Sequence, residues 1–204
     1  SSGKSALINA LAGEAVAPMG VTPVTAVLHR FHWAKERRIA VETIDGEVKS
    51  EELEELQRIT GTSDEAAKVR EVRIGLPAGC LKDVEIWDTP GFGSNNLGHE
   101  IVARKALLEA DLIAWITPID HGFDRAEAAM IQRLAKGSAP VVVIVNKADL
   151  ADDARDRDEA VAFIAEAVGE QAQHVVWASA RRALEALAKG DPRLRGQSNF
   201  TKLE

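Results

Sequence analysis

The sequence predicts an α/β fold, with a mainly parallel sheet covered by helices on both faces, on three observations. Strand-like and helix-like segments alternate regularly from residue 100 onward. The run from Pro140 to Val145 is wholly apolar, as in a central strand buried on both sides. Short polar clusters stand where the strands end, which in open parallel sheets is the ligand-binding edge. With 204 residues and 46% hydrophobic content, the chain is expected to bury one ordinary core.

Residues 3–11 read as a helix opening out of a glycine turn, with Leu7, Ala10 and Leu11 on one face. Residues 13–25, holding two prolines and two glycines, read as an irregular loop. Residues 26–33 and 38–44 read as strands joined by a Lys35-Glu36 corner, and Asp45-Gly46 signals a hairpin turn. Leu53, Leu56 and Ile59 recur at helical spacing, which predicts a surface helix over residues 49–59. Strands follow at 69–76 and 82–87, the second running into Asp88-Thr89-Pro90-Gly91. Then come helix 100–109, strand 112–116, helix 125–136, strand 141–145, helix 158–168, strand 175–178 and helix 182–189. The charge run 152–158 reads as a solvated helix start, and the polar, Gly- and Pro-containing stretch 190–198 as the beginning of a departure from the core. The domain is therefore expected to cover residues 1–190, with 191–204 opening a further region.

A formal net charge of −7 and a pI near 5.3 argue against a broad basic surface, so DNA is not an expected partner. Cys80 is the single cysteine, which excludes an intrachain disulfide and suits a reducing, cytoplasmic compartment. The apolar runs are too short to cross a bilayer.

Ser1-Ser2-Gly3-Lys4-Ser5 reads as the last five positions of a phosphate loop. In that loop backbone N–H groups wrap the phosphates, the lysine ammonium faces the outer ones, and the next hydroxyl holds Mg2+. The expected binding residues here are Ser2, Gly3, Lys4, Ser5 and Ala6, with Ser5 on the metal. Starting at Ser1 rather than Met, the chain is expected to lack the loop's opening glycine and the fold's first strand. Such a piece alone should bind nucleotide weakly or not at all. Asp88 ends an apolar strand and is placed to hold magnesium through water, and Gly91 to offer its N–H to a terminal phosphate. In Asn146-Lys147-Ala148-Asp149, the Asp149 carboxylate suits the paired ring N–H and amine of guanine, Asn146 braces the loop, and the Lys147 stem lies along the base. Ser179-Ala180 follows the last strand, where a backbone N–H meets the guanine carbonyl. Singly these motifs are ordinary; Gly-Lys-Ser recurs in many chains and Asp-Thr-Pro-Gly makes plain turns. Their order, each after a strand, predicts the P-loop NTPase fold and GTP as substrate.

Ser-Ser-Gly-Lys-Ser-Ala-Leu-Ile-Asn-Ala-Leu, Pro23-Val24-Thr25-Ala26 and Asp88-Thr89-Pro90-Gly91-Phe92-Gly93-Ser94, with a long insertion between Thr25 and Asp88, together resemble the GTPase domain of the dynamin family, bacterial dynamin-like proteins in particular. The resemblance implies that Thr25, with Thr22 as its rival, joins the magnesium ion. It implies that Ser1 helps to position water and a monovalent cation. The catalytic set so implied is Ser1, Lys4, Thr25 and Gly91. Phe92 stands where many regulatory GTPases carry a water-orienting glutamine. An apolar ring cannot orient water, and in the resembled family two GTPase domains meeting face to face complete the site. Hydrolysis of GTP to GDP, a homodimer through this domain, and a membrane surface reached by a helical stalk outside the chain are the implied function and partners. Residues 198–203 resemble the lead into that stalk, which implies truncation at this end as well.

Two other readings are a nucleotide-gated binding module and a ribosome- or RNA-associated GTPase, against which the acidic balance counts. His99 and His121 read as solvated loop residues, Trp87 and Trp115 as core, and Cys80 as an unactivated thiol in a turn.

Overall fold

The computed structural model describes residues 2–17, 27–52, 55–56, 63–89 and 97–203. The chain divides into two compact units, Leu11–Glu109 and Ser1–Ala10 with Ala110–Glu204. Helix α1 (Lys4–Ala12) follows Gly3, which takes φ +81°, a conformation that side chains with a Cβ resist.

The Leu11–Glu109 unit holds five strands, β1 (Leu28–Trp33), β2 (Arg38–Thr43), β3 (Val48–Ser50), β4 (Val69–Leu76) and β5 (Ile86–Asp88), in the order β3-β2-β4-β1-β5. Helix α2 (Ser63–Ala66) precedes β4 and α3 (Leu97–Glu109) closes the unit. Alternation explains the packing: Phe31, Ile39, Val41, Val72, Ile74 and Leu76 are buried, while Arg30, Glu42, Glu71 and Arg73 of the same strands lie on the opposite face. On that second face Arg30 bonds Glu85 at 2.5 Å and lies 4.2 Å over the Trp87 ring, and Arg73 bonds Glu71 at 2.5 Å.

The expected mainly parallel sheet is corrected here. Among the described residues β1·β4 is parallel, but β1·β5, β2·β3 and β2·β4 are antiparallel. The Asp45-Gly46 turn, with Gly46 at φ +83°, accounts for the β2·β3 pair by folding β3 back onto β2. The predicted helix over 49–59 gives way at its start to β3, drawn out by the hairpin, while Leu56 is helical and fully buried. The predicted strand 82–87 shrinks to β5 behind a 3₁₀ turn at Gly79–Leu81.

The other unit has the alternation the sequence predicts. Strands β6 (Ile113–Pro118), β7 (Val141–Asn146) and β8 (His174–Trp177) are parallel, in the order β6-β7-β8. Helices α4 (Arg125–Leu134), α5 (Ala154–Val168), α6 (Ala180–Lys189) and α7 (Pro192–Gln197) complete it. Val141, Val143 and Val145 pack with Ile131, Ile164 and Val168 into one apolar cluster. Each helix start is capped: Asp124 accepts from Glu127 N, Asp153 from Arg155 N and Asp156 N, Ser179 from Arg182 N, and Asp191 from Arg193 N. The Asp153 cap explains why α5 begins inside the charge run, four residues before the predicted start. Residues 198–200 stay on this unit: Ser179 N donates to Ser198 O at 3.0 Å, Asn199 Nδ2 to Trp177 O at 2.7 Å, and Phe200 is fully buried. No described helix is long and apolar enough to cross a membrane.

Candidate functional site

Three of the sequence motifs meet in the Ser1–Ala10 and Ala110–Glu204 unit. Strand β7 ends at Asn146, only 1% exposed, whose side chain is spent in two directions. Its Nδ2 donates to Ser2 O at 3.0 Å, and its Oδ1 accepts from Ala180 N at 3.1 Å. One buried amide thus ties the phosphate-loop segment to the Ser179-Ala180 corner. Gly3 is fixed by the same contact, because a Cβ there would lie 2.5 Å from Asn146 Nδ2. Leu7 N donates to Gly3 O at 3.0 Å, so the amides of Lys4, Ser5 and Ala6 precede the first intrahelical bond of α1. Such a helix start favours an anion.

The Asp149 side chain is 3% exposed, although it lies in a turn. Ser179 Oγ donates to its Oδ1 at 2.5 Å and Arg181 Nε to its Oδ2 at 2.7 Å. The turn is spliced onto the sheet by Ala148 N to Ala178 O at 3.0 Å and Ala178 N to Val145 O at 2.9 Å. Lys147 takes φ +60°, uncommon outside glycine, and its Nζ donates to both carboxylate oxygens of Asp120 at 3.1 Å. Ala180 N–H, expected to meet a guanine carbonyl, is held by Asn146, so a base there must share or replace that bond.

Asp120 and Arg181 are the residues that sequence reasoning missed. Both had a signal. Asp120 is an acid just beyond the carboxyl end of β6, and Arg181 is a cation in the first turn of α6, where the helix dipole disfavours it.

Asp88 belongs to the Leu11–Glu109 unit, where it ends β5 opposite His29 of β1. His29 is 3% exposed, its Nε2 has no hydrogen-bond partner, and burial pushes its pKa down to about 4 against a raising backbone bond with Val27. Ser1, Thr25, Gly91, Thr22 and Phe92 lie outside the described residues, as does the side chain of His99. His121 is exposed, as read from the sequence. Trp115 packs against the apolar cluster and donates Nε1 to Glu127 at 2.9 Å. Trp87 is corrected: it is half-buried on the charged sheet face beneath Arg30, not in the core. Cys80 donates Sγ to Leu11 O at 3.1 Å. Among the described residues no three His, Cys, Asp or Glu side chains gather as metal ligands.

The family model described as Dynamin family matches residues 1–149. A protein of Arabidopsis thaliana, the probable transmembrane GTPase FZO-like, chloroplastic, is 30% identical over 189 residues, covering 91% of this chain and 18% of that protein. Among solved structures, a chain of an oligomerised bacterial dynamin pair, described as sensing and tethering membranes at long range, superposes with a TM-score of 0.77 at 18% identity. It covers 99% of this chain and 35% of that one. Aquifex aeolicus Era bound to GDP.AlF4- gives a TM-score of 0.52 at 22% identity, over 95% of this chain and 52% of that one. The chain thus spans about a fifth of the plant relative and a third of the bacterial dynamin chain.

Proposed function

The chain belongs to the dynamin family, as part of its GTPase domain, and from that premise we propose that the whole protein binds GTP with magnesium through this domain and hydrolyses it to GDP and phosphate. The observation that carries this reading is Asn146, which bonds Ser2 on one side and Ala180 on the other. A phosphate end and a base end are thereby braced by one side chain. The fold, with its mixed sheet and its helices, is of the phosphate-loop GTPase type.

At the base end, Asp149 accepts the guanine ring N–H and exocyclic amine, with Ser179 holding the carboxylate in place. Adenine lacks the amine and offers an acceptor at the ring nitrogen, so it would leave the acid unpaired at a cost of roughly 1–3 kcal/mol. The Lys147 stem lies along the base, anchored by Asp120. At the phosphate end, Ser2, Gly3 and the first-turn amides of α1 wrap the anion, and the Lys4 ammonium faces its outer groups. The Ser5 hydroxyl, in that same first turn, is a hard oxygen donor of the kind magnesium takes when a nucleotide supplies most of its ligands. When bound, magnesium supplies charge neutralisation at the phosphates. From sequence order alone, Asp88 is a water-mediated ligand, Thr25 a second hydroxyl ligand, Gly91 an amide on the terminal phosphate, and Ser1 the group that aligns water and a monovalent cation. In the reaction, water forms a bond to the terminal phosphorus and the bond to the bridging oxygen breaks. GDP departs with that electron pair, and the water proton ends on phosphate.

For the whole protein, the reading is self-association through this domain and work at a membrane surface from the cytoplasm, with residues 191–204 leading towards a helical region. Fluorescent-nucleotide titration and phosphate release in the protein test the chemistry. GTP over ATP, an Asp149→Asn variant that loses GTP and gains xanthosine triphosphate, and specific activity rising with protein concentration are expected. A preference for ATP would sink it.

A further inference from the structure

On the footing that Asp149 reads guanine as proposed, we infer that Arg181 is a plug on that acid, closing the base end while it is empty and yielding to the incoming nucleotide. The Asp149 side chain is 3% exposed, so no ligand can touch the carboxylate until a group covering it moves. Its two hydrogen-bond partners differ in freedom. Ser179 is fully buried, caps α6 through Arg182 N, and holds Ser198 O through its own N–H. The Arg181 side chain is 69% exposed and holds Asp149 Oδ2 through Nε alone, at 2.7 Å. Arg181 is the partner that can leave.

The exchange matches in chemistry. A guanidinium edge and the guanine edge both present N–H donors to a carboxylate, so the arginine keeps a nearly inaccessible acid compensated until the base replaces it. Arg181 stands in the first turn of α6, where the helix dipole repels a cation; the Asp149 pairing offsets it, with a weaker attraction from Glu185 one turn on. An ion pair with one exposed partner is easily broken, so the plug lowers affinity by a factor of roughly two to five and does not abolish binding.

The test compares the protein with its Arg181→Ala, Asp149→Asn and doubly substituted variants, using fluorescent GDP and GTP in equilibrium and stopped-flow measurements. Alanine suits the exposed first turn of a helix, and an unfolding midpoint measured on each variant separates a loss of fold, from leaving Asp149 uncompensated, from a change in binding. A plug predicts that Arg181→Ala binds both nucleotides roughly two- to five-fold more tightly, by the same factor for each, through faster association. It predicts that the gain narrows as KCl rises and vanishes in the Asp149→Asn background, where it is read with fluorescent xanthosine diphosphate. A merely structural role would not tighten binding. Unchanged or weaker binding in Arg181→Ala, with Asp149→Asn still impaired, overturns the plug and leaves the guanine reading standing. Should Asp149→Asn bind GDP as the parent does, the guanine reading fails and the plug with it.

Discussion

Asn146 Nδ2 donates to the carbonyl oxygen of Ser2 across 144 positions of sequence, at 3.0 Å, from a side chain that is 1% exposed. Its other end takes Ala180 N–H at 3.1 Å, so Asn146→Ala strands two polar backbone groups at once. Each buried orphan costs roughly 1–3 kcal/mol. The variant is expected to lose about 2–4 kcal/mol of stability in urea unfolding, and nucleotide affinity with it. Unfolding midpoints equal to the parent's would show that the bridge does not brace the site.

Gly3→Ala tests the same junction from the other side. The new methyl would meet Asn146 Nδ2 at 2.5 Å, and the residue would have to hold φ +81°. Either the Asn146 bond or the entry into α1 must yield, since strain in the left-handed region alone costs about 1–3 kcal/mol. Nucleotide binding is expected to fall at least tenfold in a fluorescence titration, while circular dichroism keeps the helix content of the parent.

How much of this was legible in the sequence depended on whether a residue's role is local. Asn146, Asp149 and Ser179 could be read because each lies at the end of an apolar strand, and strand ends share one edge of a parallel sheet. Arg181 showed only as a cation oddly placed in the first turn of α6; its partner could not be read, because only the chain crossing from β7 to the Ser179 corner brings Asp149 within 2.7 Å of it. The three-residue strand β3 was hidden for a related reason. The helical spacing of Leu53, Leu56 and Ile59 dominates its neighbourhood, and pairing with β2 is a non-local bond that spacing does not report. Trp87 reads as core because its strand is apolar, but strand composition does not report which face a residue joins, and here that face carries Arg30, Glu71 and Arg73.

Phe200 has no exposed surface, although it lies at the end of a polar stretch. Removing a fully buried phenylalanine ring costs about 3–5 kcal/mol. Phe200→Ala is expected to lower the unfolding midpoint accordingly. Because Ser198 O takes the N–H of Ser179, whose hydroxyl holds Asp149, guanine-nucleotide affinity is expected to fall too. A variant as stable as the parent would mean that residues 198–203 do not belong to the folded unit in solution.

His29 makes the stability depend on acid in a window that can be stated in advance. Its pKa is pushed by burial from the ordinary histidine value of 6.5 down to about 4, so between those limits the unfolded chain binds a proton that the folded chain refuses. Protons then favour unfolding. The contribution of neutral His29 is complete above about pH 6.5 and is lost as pH falls towards 4, by about 3 kcal/mol across the window. Its Nε2 has no partner to compensate a charge on the ring. Replacing it by an apolar residue of similar size, His29→Leu, is expected to flatten the pH dependence of the urea midpoint between about 6.5 and 4 by close to one proton. At pH 8 the two proteins should differ little, since the lost backbone bond with Val27 is offset by removal of an unpaired buried nitrogen. A His29→Leu protein whose acid limb runs parallel to the parent's would show that the imidazole titrates in the folded chain as it does in the unfolded one.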